Sequence, residues 1–256
     1  MIGIIGGTGF YSVELFGKAT PINVHTEYGD VSFLKGIYQN TEILFLPRHG
    51  SNHNRLAFEI PHHAHMMAFH QLGVKRIITT VAAGGINPSF KSGDFVLLDQ
   101  FIDFHTRHFT YGKHSLDMST PYCSELRQLF MEQAEKLGYS LHPTGTYISV
   151  DGPRYETSAE IHAYQRLGAD VVGMTNAPEA TLARELGICY SAVVIVTNMA
   201  AGLSSDEPDL KTHSSVVKAN SAKLQKLLCS VAASIPEERH CRCQEFYDRA
   251  VSARMH

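Results

Sequence analysis

Val194-Ile195-Val196-Thr197-Asn198-Met199-Ala200-Ala201-Gly202 is an apolar, β-branched run that ends in a side-chain amide, small residues and a glycine. It closes a predicted strand, Cys189–Thr197, that is apolar on both faces. Such a strand needs cover on both sides, which helices packed above and below a parallel or mixed sheet provide. The same pattern recurs at Ile2–Ile5, Glu42–Leu46, Arg76–Val81, Phe95–Leu98, Thr146–Val150 and Asp170–Gly173. Helix patterns lie between these runs. Ser124–Gly138 carries Leu126, Leu129, Phe130, Ala134 and Leu137 on one stripe and ends on a glycine stop. Ser158–Leu167, Pro178–Leu186 and Thr212–Ala233 have similar periodicity. The expectation is one α/β domain over residues 1–235 and a polar C-terminal extension, peripheral or frayed, over 236–256.

A chain of 256 residues with 44% hydrophobic content can bury a large core. Its formal charge of −3 gives no basic field for nucleic acid or an anionic membrane, so a small-molecule ligand fits better. The amino-terminal stretch lacks the basic region and long apolar run of a signal peptide, and no later run could span a bilayer, so the expected location is the cytoplasm. Five scattered cysteines read as free thiols.

Ligand sites in such sheets gather at the carboxyl ends of strands, and there the chain places its chemistry. The first strand runs into Gly6-Gly7-Thr8-Gly9, where glycines let amides converge on an anion and Thr8 adds a hydroxyl. The spacing matches neither a dinucleotide nor a Walker loop, so a plain tight turn remains an alternative. Leu46-Pro47-Arg48-His49-Gly50 sets an arginine fork, suited to bidentate phosphate binding, after a buried strand. Asp151-Gly152-Pro153-Arg154-Tyr155-Glu156-Thr157 offers a stacking face beside a carboxylate acceptor. Gly173-Met174-Thr175 puts a hydroxyl at a strand-to-helix junction, where helix-terminal amides favour anions.

In order, Gly6-Gly7-Thr8-Gly9, Arg48-His49-Gly50, Ala82-Ala83-Gly84-Gly85, Gly152-Pro153-Arg154-Tyr155-Glu156-Thr157, Gly173-Met174-Thr175 and Thr197-Asn198-Met199-Ala200-Ala201-Gly202 resemble the trimeric purine nucleoside phosphorylase and methylthioadenosine phosphorylase family over residues 2–235. The resemblance implies a mixed, twisted, partly barrel-like sheet flanked by helices, a homotrimer, phosphate as co-substrate, and neither metal nor organic cofactor. It implies Thr8, Arg48 and Thr175 as phosphate ligands, with His49 beside them and the Ala82 amide as a further donor. Tyr155 would stack on the base, Glu156 would accept from N1–H of a 6-oxopurine, and Asn198 would bond the O6/N7 edge. Met174, His213 and His114 would line the sugar.

In that reading phosphate attacks the anomeric carbon while Asn198 stabilises the departing base; Asn198, Arg48 and Thr8 carry the catalysis without a covalent intermediate. Relatives that cleave 6-aminopurines have aspartate where Asn198 stands, so inosine or guanosine is the expected substrate. His213 matches a histidine near the 5′-hydroxyl, whereas the short amino terminus resembles the methylthio branch; 5′-methylthioinosine and 5′-methylthioadenosine stay open. Val81 replaces the relatives' Thr or Asn, Pro61-His62 replaces an Asn-Tyr pair, and His114 is displaced by one residue from the usual loop histidine. Three readings from other classes fare worse. A nucleoside sensor would not need the phosphate set, and a dinucleotide oxidoreductase lacks its glycine spacing. The histidines at 62, 63, 65 and 70 lack the H-E-x-x-H pattern of a metal site, and His240-Cys241-Arg242-Cys243 lacks a second ligand pair.

Overall fold

A computed structural model describes residues 1–7, 19–204 and 210–253, without the side chains of 210–213. The first half holds β1 (Ile2–Gly6), β2 (Thr20–Thr26), β3 (Gly29–Tyr38), β4 (Thr41–Pro47), α1 (His62–Gln71), β5 (Arg76–Gly85), β6 (Phe95–Leu97) and β7 (Gln100–Asp103). There follow α2 (Ser124–Leu137), β8 (Thr146–Ser149), α3 (Ser158–Arg166), β9 (Val171–Gly173), α4 (Asn176–Glu185), β10 (Cys189–Met199), α5 (Leu210–Ser234) and α6 (Cys243–Ala253).

The described strands form one mixed sheet, in the order β2-β3-β4-β1-β5-β9-β8-β7, with β10 and β6 branching from β5. β5 is the branch point. One edge of its first half pairs in parallel with β1, its tip pairs antiparallel with β9, and β10 runs parallel along almost all of it. Alternation along the central strands shows why they are apolar throughout. Ile2, Ile4, Ile43 and Phe45 enter a core with α2 and α5, while Ile5, Leu44 and Leu46 enter another with α1 and α4. Gly3 lets α1 approach, since a Cβ there would stand 2.8 Å from the Phe69 ring.

The expected mixed α/β sheet flanked by helices is present, and the apolar strands and four patterned helices all form. α2 ends as expected on Gly138 at φ 68°. The sequence reading missed α1, whose His62, Ala64, His65, Met66, Met67, Ala68 and Phe69 are buried around the helix, so no polar face marks its period. It also missed the β2–β3 hairpin, much of which is solvent-facing.

Residues 236–253 are not a frayed tail. The Glu237 and Glu238 carbonyls accept from Arg76, Arg239 donates to the Gly187 carbonyl at 2.9 Å, and Arg184 lies over the Phe246 ring at 4.8 Å. Cys243 and Ala250 are buried. In α6, Cys243, Phe246, Tyr247 and Ala250 recur at helical spacing, a short period that the sequence reading passed over. No described helix is long and apolar enough to cross a membrane.

Candidate active site

The carboxyl ends of β5, β9 and β10 open on a cavity of about 300 Å³, within the size range of small-molecule sites. Arg48, His49, Ala82, Thr175, Met174, Tyr155, Glu156 and Asn198 all line it. Thr8 lies outside the described residues, and of His213 only the backbone, in the first turn of α5, is described. His114 is elsewhere: it borders a separate pocket with Ala250 and Ala253, its ring 6.0 Å from that of Tyr247. Val81 is buried in the core beneath the cavity wall.

The Arg48 fork is not free to clasp phosphate. Its Nε and Nη2 donate to Glu179 at 2.5 and 3.1 Å, Nη2 also donates to Thr79 Oγ1 at 2.6 Å, and Nη1 donates to the Thr80 carbonyl at 3.0 Å. Of five N–H groups this leaves one, on Nη1. That atom sits under Gly7, where a Cβ would come within 2.5 Å of it. The bidentate expectation is thus corrected: Glu179, on α4, takes the fork, and Arg48 offers the cavity one N–H. Burial disfavours the guanidinium charge, but Glu179 more than compensates and holds its pKa up. Nothing in the spacing of residues 48 and 179 marks them as partners. The network continues from Glu179 to the Tyr190 hydroxyl at 2.7 Å, from Tyr190 to Asn176 at 2.8 Å and from Asn176 to Tyr122 at 2.5 Å. It fixes the first turn of α4, and with it Thr175.

His49 is held neutral. Burial, then the neighbouring Arg48 charge, pushes its pKa down to about 4. Its Nδ1 faces the Arg55 carbonyl at 2.9 Å, so the proton resides there and Nε2 is left as an acceptor. A neutral acceptor suits the hydroxyl of a protonated phosphate. The adjoining α1 adds His65, pushed by burial to about 3, and His62, driven well below the usual imidazole range. An unfolded chain protonates these rings below about pH 6.5, whereas the folded chain does so only far lower. Unfolding therefore takes up protons in that window, and stability falls as pH drops from 6.5 toward 3. Urea midpoints are expected to decrease steadily from pH 7 to pH 5; equal midpoints would contradict the neutral assignment of this group.

The Asn198 end of the cavity is built by local geometry. Pairing of β10 with β5 slips between Val196 and Asn198, leaving Thr197 as an extra residue. The bulge turns both Thr197 and Asn198 to the cavity. Thr197 Oγ1 lies 2.8 Å from Asn198 Oδ1, and Asn198 Nδ2 donates to the Met199 carbonyl at 3.0 Å. That orients the amide and leaves its second N–H to a ligand. Opposite, Arg154 grips Glu160 at 2.7 and 2.8 Å, and Thr157 caps α3 reciprocally with Glu160. This clamp holds the intervening Tyr155 and Glu156; the sequence reading passed over its T-x-x-E signature. Burial pushes the Glu156 pKa above the usual carboxylate value.

Two further residues escaped the sequence reading. The Tyr147 hydroxyl accepts from the Thr175 N–H at 3.3 Å and packs against Gly173, where a Cβ would stand 2.1 Å from it. His105 bridges Asp103, at 2.5 Å, and the Met174 carbonyl, at 3.3 Å. Both brace the loop that carries Met174 and Thr175.

The chain is 46% identical over 261 residues to a probable 6-oxopurine nucleoside phosphorylase of Thermococcus kodakarensis, covering 95% of this chain and 96% of that one. It is 41% identical to an S-methyl-5′-thioadenosine phosphorylase of Pyrococcus furiosus, over 95% and 96% of the two chains. The methylthioadenosine phosphorylase of Schistosoma mansoni, solved with adenine, superposes with a TM-score of 0.92 at 27% identity, over 98% and 97%. The sequence profile of the phosphorylase superfamily matches residues 1–233, and with relatives this similar over nearly their full length, the chain belongs to that superfamily.

Proposed function

We propose that this protein cleaves 6-oxopurine nucleosides, inosine or guanosine, with inorganic phosphate, giving the free base and ribose 1-phosphate. The observation that carries the reading is the pairing of Asn198 and Glu156 in one cavity with Arg48 and Thr175. A 6-oxopurine presents an acceptor at O6 and a donor at N1, which a free amide N–H and a carboxylate match. An adenine presents the reverse pattern and leaves both groups unpaired.

Phosphate bound by Thr8, the Arg48 Nη1 group, the Ala82 amide and Thr175 is both nucleophile and counter-charge for the developing oxocarbenium ion. His49 Nε2 accepts a hydrogen bond from its hydroxyl and stays neutral. As the C–N bond breaks, Asn198 donates to the purine as it takes up the electron pair. No step needs a metal or organic cofactor. The second reading, a 5′-methylthionucleoside substrate, is favoured by the methylthioadenosine phosphorylases among the relatives and by the apolar Leu56 and Ala57 in the cavity wall. We place the enzyme in the cytoplasm as a homotrimer; exposed Leu56, Phe58 and Phe104 supply apolar surface for assembly. His114, remote from its own cavity, would then serve a neighbouring subunit's sugar.

The test is base release from inosine, guanosine, adenosine, 5′-methylthioinosine and 5′-methylthioadenosine, each with and without phosphate. Hypoxanthine and guanine are expected to appear only with phosphate. A higher kcat/KM for the methylthio compounds would transfer the assignment to that branch, and no turnover on any of the five would refute phosphorolysis.

A further inference from the structure

The fold gathers four of the five cysteines. Cys123 precedes the first turn of α2, Cys189 opens β10, and Cys241 and Cys243 flank Arg242 at the start of α6. Their sulfurs all lie within 4.8 Å of one another, and Cys123, Cys189 and Cys243 are buried. The second ligand pair that Cys241-Arg242-Cys243 lacks in sequence is thus supplied across the fold, by residues more than fifty positions away.

We infer that Cys123, Cys189, Cys241 and Cys243 form a structural zinc site. Zinc bound tetrahedrally by thiolates at about 2.3 Å separates its sulfurs by about 3.8 Å, a spacing this cluster reaches with small side-chain adjustments. Cys189 and Cys241 stand 3.4 Å apart, far beyond the roughly 2.05 Å of a disulfide. Four sulfurs without a carboxylate select a soft ion over magnesium or calcium. The backbone around them is already fixed: the Cys123 N–H donates to the Tyr190 carbonyl at 2.8 Å, tying α2 to β10.

Arg239 contributes to the surroundings. It is anchored on Gly187 and lies 4.0 Å from Cys189 Sγ, where it can donate to a ligating sulfur and offset the negative charge of a four-thiolate centre. Each thiol releases its proton as the ion binds. None of the four lines the substrate cavity, and four protein ligands leave no open position, so the metal would hold α6 to the sheet and take no part in turnover.

The experiment is elemental analysis and thiol titration of the full chain purified under reducing conditions without added chelator. About one zinc per chain is expected, with four thiols protected until the metal is removed. Cobalt titrated into metal-free, reduced protein is expected to give the intense tetrahedral and sulfur-to-cobalt bands of a thiolate site, which reads binding without relying on a variant. Cys241→Ser is expected to lose the metal and lower the Tm with kcat/KM on inosine within about twofold, while Cys229→Ser keeps it. Two disulfides, or five reactive thiols without zinc and without cobalt bands, would overturn the assignment.

Discussion

Asn198→Asp is expected to lower kcat/KM for inosine by about 10²–10³-fold, the effect of removing one donor aimed at charge developing in a transition state. Aspartate keeps the place of the amide and can still accept from Thr197, but it puts a carboxylate oxygen against O6 where the free N–H had been. For adenosine the exchange is favourable, because a 6-amino group donates to that oxygen. The second change is at Glu156. An adenine N1 needs a donor, which the carboxyl supplies only when protonated, and burial raises its pKa. Activity of the variant on adenosine should therefore increase as pH falls toward the carboxylate range, while activity on inosine does not. Steady-state rates on both nucleosides at several pH values decide it. An unchanged inosine-to-adenosine ratio would remove Asn198 from the base edge.

Glu179→Ala is expected to be the most destabilising single substitution in the site. Arg48 and Glu179 are each about 1% exposed, so removing the carboxylate leaves a buried guanidinium with its charge uncompensated. Breaking one side of such a pair costs about 3–5 kcal/mol, which for a chain of this size corresponds to a Tm lower by roughly 10 °C. Replacing both residues by apolar ones, Arg48→Met with Glu179→Leu, removes the charge together with its partner and is expected to recover much of the stability. The double variant should nonetheless have lost phosphate-dependent turnover, since the Nη1 donor is gone. Calorimetry of the single and double variants beside an inosine assay separates the two roles. A double variant as unstable as the single one would mean that the pair is not isolated from the rest of the α4 network.

The parts legible in sequence share one property: their information is local. The apolar strands, the Gly138 stop of α2 and the order of the strand-end motifs each reside in a few consecutive residues, and these brought eight of the proposed ligands to one cavity. The parts that were missed depend on residues far apart. Glu179 takes the Arg48 fork across 131 positions, and Tyr147 braces Thr175 across 28. α1 hid because a helix buried on all sides has no amphipathic period. In the C-terminal segment a short stripe, Cys243, Phe246, Tyr247 and Ala250, was passed over because it follows a polar stretch and spans only two turns.

The branching of β5 also bears on how the protein acquires its site. The two walls of the cavity, Ala82–Gly84 and Thr197–Asn198, meet only where β10 aligns with β5, and Thr197 bonds Ala83 across a separation of 114 positions. Such long-range closure is entropically slow and comes late in folding. The proposed anion end and heterocycle end therefore arise in the same event, and a partly folded chain lacks the finished cavity. Substrates that recognise the finished cavity act on the rate at which the native state opens, lengthening its lifetime without hastening its birth.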